Sequence, residues 1–142
     1  MLAYQLFPTQ FQMEQAANDL ASHIKYLGLY QNNPSITKGF NPVSITEADF
    51  SNYARIDIGS DWAAAVIDVN GDGMCLNIIR TFTKTGATAN ATIYGLLYFD
   101  TAGTEILWAQ PFADGPYPMV LDGDLIRITP KIIQTGPAAP CP

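Results

Sequence analysis

The run Asp68-Val-Asn-Gly-Asp-Gly73 puts oxygen-bearing side chains at its first, third and fifth positions and a glycine at its sixth. That is the spacing of the first half of a calcium loop, in which a hard cation collects carboxylate and amide oxygens. The bidentate glutamate due at the twelfth position is Ile79, and the segment after the run looks like a strand, not a helix. Asn-Gly and Asp-Gly are also the strongest hairpin-turn signals, because such turns need positive φ. The run therefore reads first as a tight turn. A weak structural calcium site through Asp68, Asn70 and Asp72 is the second reading, and no metal ligands are assigned.

Other chemistry finds less support. His23 is the only histidine, and it sits in a helical pattern beside Lys25. A Ser–His–Asp or Cys–His site would have to recruit it from there. No Gly-x-Ser-x-Gly occurs. The carboxylate pairs Asp122/Asp124 and Glu47/Asp49 lie in turn-like sequence, a poor setting for a glycosidase pair. No glycine-rich phosphate loop precedes a helix. Trp62, Trp108, Tyr94, Tyr98 and Tyr117 could stack on sugars, but aromatic residues at strand spacing more often fill cores. Cys75, in an expected strand, and Cys141, in the tail, make no disulfide framework. The expectation is a protein that is not an enzyme and needs no cofactor.

The elements that would hold these residues are mostly strands. Residues 1–8 alternate Leu2, Tyr4 and Leu6, then Phe7 and Pro8, and read as an extended arm. Over residues 9–25 the period turns helical, with Thr9 as cap and Met13, Ala16, Ala17, Leu20 and Ile24 on one stripe. Strands are expected at 26–30, 52–58, 62–69, 74–83, 93–99, 106–112, 119–121 and 125–133, separated by turn signals. The body, 26–134, reads as one all-β domain, a β-sandwich of Greek-key or jelly-roll type with about seven or eight strands. Residues 135–142 form a Pro-rich tail.

The clearest element is the hairpin 93–112, IYGLLYFDTAGTEILWAQPF. Asp100 suits the first position of a type I turn, and Gly103 the left-handed position after it. A three-residue loop with a G1 bulge would set Tyr98 opposite Ile106, Leu96 opposite Trp108 and Tyr94 opposite Gln110. The other face would pair Phe99 with Glu105, Leu97 with Leu107 and Gly95 with Ala109. Both faces are largely apolar, so the hairpin is expected to be buried twice. The Leu96–Trp108 face goes to the domain's own core.

Composition narrows the partners. Of 142 residues, 48% are hydrophobic and only 14% charged, so the exposed surface is small or meant for contact. A net charge of −6 with seven scattered Lys and Arg residues argues against nucleic acid. No segment is long enough to span a membrane, and the start lacks the basic and apolar regions of a signal peptide. Synthesis in a cytoplasm is expected.

A resemblance runs through most of the chain. The pieces are Leu27-Gly-Leu-Tyr-Gln-Asn-Asn33, Ala48-Asp-Phe-Ser-Asn-Tyr53-Ala-Arg55, Trp62, Ala91-Thr-Ile-Tyr94-Gly95, Ile106-Leu-Trp108-Ala109, Phe112, Asp122-Gly-Asp124 and Ile128-Thr-Pro130. In this order they resemble a family of small virion structural proteins of tailed bacteriophages. The resemblance implies a capsid cement (decoration) protein, located on the virion surface, made in the host cytoplasm, and bound to the major capsid protein. It also implies a homotrimer. The Asp68–Gly73 turn and the Pro-rich tail depart from the pattern. On this reading Leu2, Tyr4, Leu6, Phe7 and Phe11 are candidate capsid-docking residues, because an apolar arm can add as a strand or fill pockets. Gly95, Leu97, Leu107 and Ala109 are the candidate subunit interface. The alternative is a receptor- or glycan-binding module of a tail fibre or baseplate.

Overall fold

The computed structural model describes residues 9–135 and is mostly antiparallel β with one helix. The chain packs as two compact units. The smaller takes residues 9–23, 61–78 and 129–135, and the larger takes 24–60 and 79–128. A single sandwich over 26–134 was expected; the sheets are instead small and several.

In the smaller unit, helix α1 (Gln10–Ser22) starts where the sequence says it should: Thr9 Oγ1 accepts from Gln12 N at 3.2 Å. The helix ends before Ile24 and Lys25, three residues short of the expected bound at residue 25. Met13, Ala17 and Ala21 are its buried residues. Strands β3 (Val66–Ile67), β4 (Gly73–Leu76) and β11 (Lys131–Gln134) form a sheet in the order β11-β4-β3. Ala17, Ala21, Ala65 and Cys75 form the core, with Trp62 and Ile132 against it. Gly73 lets the helix approach: a Cβ there would lie 2.3 Å from Met13 O. Cys75 is a free thiol, raised above its ordinary pKa by burial. Its Sγ donates to Asn18 Oδ1 at 3.6 Å, the oxygen that also accepts from Ala65 N at 2.9 Å.

The larger unit holds β1 (Tyr26–Tyr30), β2 (Ile56–Asp57), β5 (Arg80–Thr83), β6 (Ala91–Ile93), β7 (Gly95–Phe99), β8 (Ile106–Pro111), β9 (Tyr117–Met119) and β10 (Leu125–Ile128). Its main sheet runs β2-β1-β7-β8, and two strand pairs, β10-β5 and β6-β9, accompany it. The apolar run YLGLY of β1 is central, paired along its whole length with β7, and its last four residues are buried.

Two expected long strands are broken. The 74–83 run divides into β4 and β5, and the 125–133 run into β10 and β11, which join different sheets. The second break falls at Thr129-Pro130, where proline cannot donate to a ladder. The 52–58 strand shrinks to Ile56–Asp57, because Asn52 takes a positive φ of 76° and Tyr53 N closes a turn onto Phe50 O.

Candidate functional site

The hairpin β7–β8 both buries and exposes apolar surface. Its turn is built as the residue types demand. Asp100 O accepts from Gly103 N at 3.1 Å, and Gly103 has φ +73°. Asp100 Oδ1 accepts from Thr104 N and Glu105 N at 2.9 and 3.2 Å. Those backbone bonds, the one from Glu105 foremost, hold the Asp100 carboxyl below its usual range.

The register differs from the expected one. Asp100 pairs with Glu105, so the loop is one residue longer, and a bulge follows. Phe99 opposes Ile106, but Tyr98 opposes Trp108, leaving Leu107 as the extra residue. Leu97 then opposes Ala109, and Leu96 opposes Gln110. The longer loop moves Ile106 off the Tyr98 face and onto that of Phe99. It packs with Ala109 against the buried cluster Tyr30, Leu97 and Phe99. Trp108, expected to sit in the core opposite Leu96, is 42% exposed.

Of the four candidate interface residues, two are already covered by their own chain. Leu97 is fully buried. A Cβ on Gly95 would lie 2.3 Å from Gln110 O and 2.5 Å from Tyr30 Oη. Gly95 is thus small to admit β8 and Tyr30, not another subunit. Leu107 and Ala109 are half-buried and remain open to a partner. Of the docking residues, Phe11 lies in the first turn of α1 and is 62% exposed. Leu2, Tyr4, Leu6 and Phe7 lie outside the described residues.

A polar lock positions this hairpin. Glu47 receives Arg55 in a bidentate pair, Nε to Oε1 at 2.8 Å and Nη2 to Oε2 at 2.7 Å. Arg55 Nη1 reaches Gly103 O at 2.6 Å, and the guanidinium lies 3.7 Å from the Phe99 ring centre. Tyr53 Oη donates to Glu47 Oε1 at 2.9 Å and accepts from Leu29 N at 3.1 Å. Burial pushes the Tyr53 hydroxyl far above its usual range. Four segments, around residues 29, 47, 53–55 and 103, are joined by three side chains. The Ala48–Arg55 string, which carried much of the resemblance, therefore serves the fold. It was legible as a motif but not as a lock, because Gly103 is remote from Arg55 in sequence and Leu29 from Tyr53.

The loop from 31 to 46 completes the surface. Asn32 staples its ends, with Nδ2 to Ser44 O at 2.6 Å and Oδ1 accepting from Thr46 N at 2.9 Å. Between this loop and β8 runs an open groove of about 550 Å³, lined by Ile36, Phe40, Pro42, Leu107 and Trp108 among others, with Lys38 its one charged residue. β8 is an edge strand and carries no charged residue.

The remaining carboxylates serve their own backbone. Asp68 Oδ1 accepts from Asn70 N and Asp72 N, both at 2.9 Å, and Asp68–Gly73 is the β3–β4 hairpin turn. Asp124 Oδ2 accepts from Leu121 N and Val120 N at 2.7 and 2.9 Å, bonds that lower its pKa. Lys84 is fully buried. Its ammonium donates to Gly86 O and Thr88 O, and its backbone N to Asp124 O, tying the 84–90 loop to the 122–124 turn. Among the described residues no three His, Cys, Asp or Glu side chains converge as metal ligands. None of their helices is long and apolar enough to cross a membrane. In comparisons with protein-family models, curated proteins and solved structures, the chain matches none.

Proposed function

We propose that this protein is a non-enzymatic virion component of a tailed phage, a cement protein that binds the outer surface of the major capsid protein shell as a homotrimer and stabilises it. The observation that carries the reading is the edge of β8. A six-residue edge strand without a charge, beside an apolar groove and an exposed Trp108, is a surface natural proteins protect unless a partner covers it. The partner strand or apolar side chains would come from the shell. Phe11 and the arm before it would supply a second contact. On this reading the sheets of the larger unit are a small Greek-key sandwich that presents the edge rigidly.

Purified virions test the proposal. Hundreds of copies per particle, with density on the outer shell, are expected. Particles lacking the protein should fail at lower temperature and milder osmotic shock than complete ones; equal resistance would overturn the proposal. Trp108 beside Phe40 also suits a sugar face, which favours a receptor- or glycan-binding tail module as the second reading. A handful of copies per virion, located on the tail, would select it.

A further inference from the structure

We infer that the face of the β11-β4-β3 sheet turned away from α1 pairs with the same face of a second copy across a two-fold axis. Alternation assigns the two faces. Gly73 and Cys75 of β4, with Ile132 of β11, meet the helix side. Met74, Leu76 and Ile133 therefore point the other way. The register sets Val66 opposite Met74 and Met74 opposite Ile133, so one apolar row crosses all three strands. Val66 is 51% exposed, Ile133 40% and Leu76 39%. This is an unusual amount of apolar surface for the open face of a three-stranded sheet.

The charges at its two ends identify the occupant. Asp68 N bonds Asp72 O at 2.8 Å, so the hairpin register continues and Asp68 and Asp72 share this face. The Asp68 carboxylate caps its own turn. The Asp72 carboxylate and the Lys131 ammonium have no ionic partner among the described residues. Lys131 pairs with Leu76, two residues beyond Met74, and Asp72 lies two residues before it. Each is thus about 7 Å from the apolar row, on opposite sides. A two-fold axis along that row reverses the strands and stacks Val66, Met74 and Ile133 on their own counterparts. The same operation sets each Lys131 about 5 Å, one strand spacing, to the side of the other copy's Asp72, within reach of the lysine's long stem. A face that is basic at one end, acidic at the other and apolar between is complementary to itself under this operation.

The patch covers roughly 200 Å² per copy, from strand spacing and rise, against about 800 Å² for a stable partner surface. The pairing is therefore weak in dilute solution and effective where copies are held close together. It is separate from the three-fold assembly proposed above and would link trimers. Its failure would leave the copy-number test of that reading untouched.

The full chain carrying Ile133→Cys and Cys141→Ser is treated with a bis-maleimide of about 10 Å reach, the spacing of packed sheets. Covalent dimer is expected, well above the yield from a control cysteine at exposed Thr81. Lys131→Glu or Asp72→Lys alone should each cut the yield about fivefold, since two exposed ion pairs are lost per dimer. The two together reverse both charges and should restore it. Dimer no greater than the control, or no recovery in the double variant, overturns the pairing. With Cys141 retained, a link within one chain between positions 133 and 141 would also overturn it, because the tail would then cover the face. Sedimentation of wild type against Ile133→Asp at high concentration gives a second reading; equal weight-average masses overturn it too.

Discussion

Gly95→Ala separates two readings of the hairpin. If Gly95 is small to let another subunit approach, alanine should disturb assembly and leave the fold intact. The structure argues the opposite. The added methyl would sit 2.3 Å from Gln110 O, 2.5 Å from Tyr30 Oη and 2.6 Å from the Tyr30 ring. The first obstacle is backbone of the paired strand and cannot rotate away. Overpacking costs about 1–3 kcal/mol, and an obstacle in the main chain of β8 puts this site at about 3 kcal/mol. With a urea m-value of about 1.5 kcal/mol/M, the unfolding midpoint should fall by about 2 M. Gly39→Ala is the control. Gly39 has φ +73° and nothing within 4 Å, so only backbone strain applies, about 1 kcal/mol. Tyr30→Phe combined with Gly95→Ala should recover part of the loss, because the carbonyl contact remains. Urea unfolding followed by tryptophan fluorescence and circular dichroism reads all four proteins. A midpoint for Gly95→Ala within about 0.3 M of wild type, with only oligomerisation altered, would refute the packing argument.

Further outcomes follow from the lock, the turns and the edge. Glu47→Gln should destabilise by about 1–2 kcal/mol in chemical denaturation, because it removes a bidentate partner of a half-exposed arginine and weakens the Tyr53 bond. Tyr53 has a raised folded pKa, so its contribution is present below the ordinary tyrosine pKa of about 10 and is lost as pH rises towards the folded value. Alkaline titration of tyrosinate absorbance should show its ionisation only with unfolding; Tyr53→Phe should flatten that limb. Asp100 and Asp124 have lowered folded pKa values, so their contribution is present above the ordinary carboxylate pKa of about 4 and is lost as pH falls through the folded values. Asp100→Asn and Asp124→Asn should make acid unfolding less steep. Leu107→Glu, at the half-buried bulge, should abolish binding to purified capsids while the far-ultraviolet spectrum stays native. Loss of the fold first would show that Leu107 is core. Calcium should leave Tm unchanged, since the Asp68 Oδ1 is spent on its own turn; a rise would reveal a site at 68–72.

By itself the sequence determined what depends on neighbours along the chain. Thr9 caps α1 because its hydroxyl reaches a backbone N–H three residues on. Asp68–Gly73 and Asp100–Gly103 turn because Asp68 and Asp100 accept local N–H groups and Gly71 and Gly103 take positive φ. The apolar run 26–30 is a strand at the bounds its composition suggests. Tertiary structure decided everything that depends on distant partners. A loop one residue longer moved Ile106 onto the Phe99 face, and the bulge at Leu107 kept Trp108 on the Tyr98 face; no local signal marks either, because both answer to packing on Tyr30 and Phe99. Both faces of β7 are buried, and Ile36 and Ile45 of the loop from 31 to 46 pack against the Leu97–Phe99 face. The Glu47–Tyr53–Arg55 lock needed Gly103 to arrive from far along the chain. The same physics explains why the 74–83 and 125–133 runs each serve two sheets: alternation sets which side chains share a face, but only packing sets what that face meets.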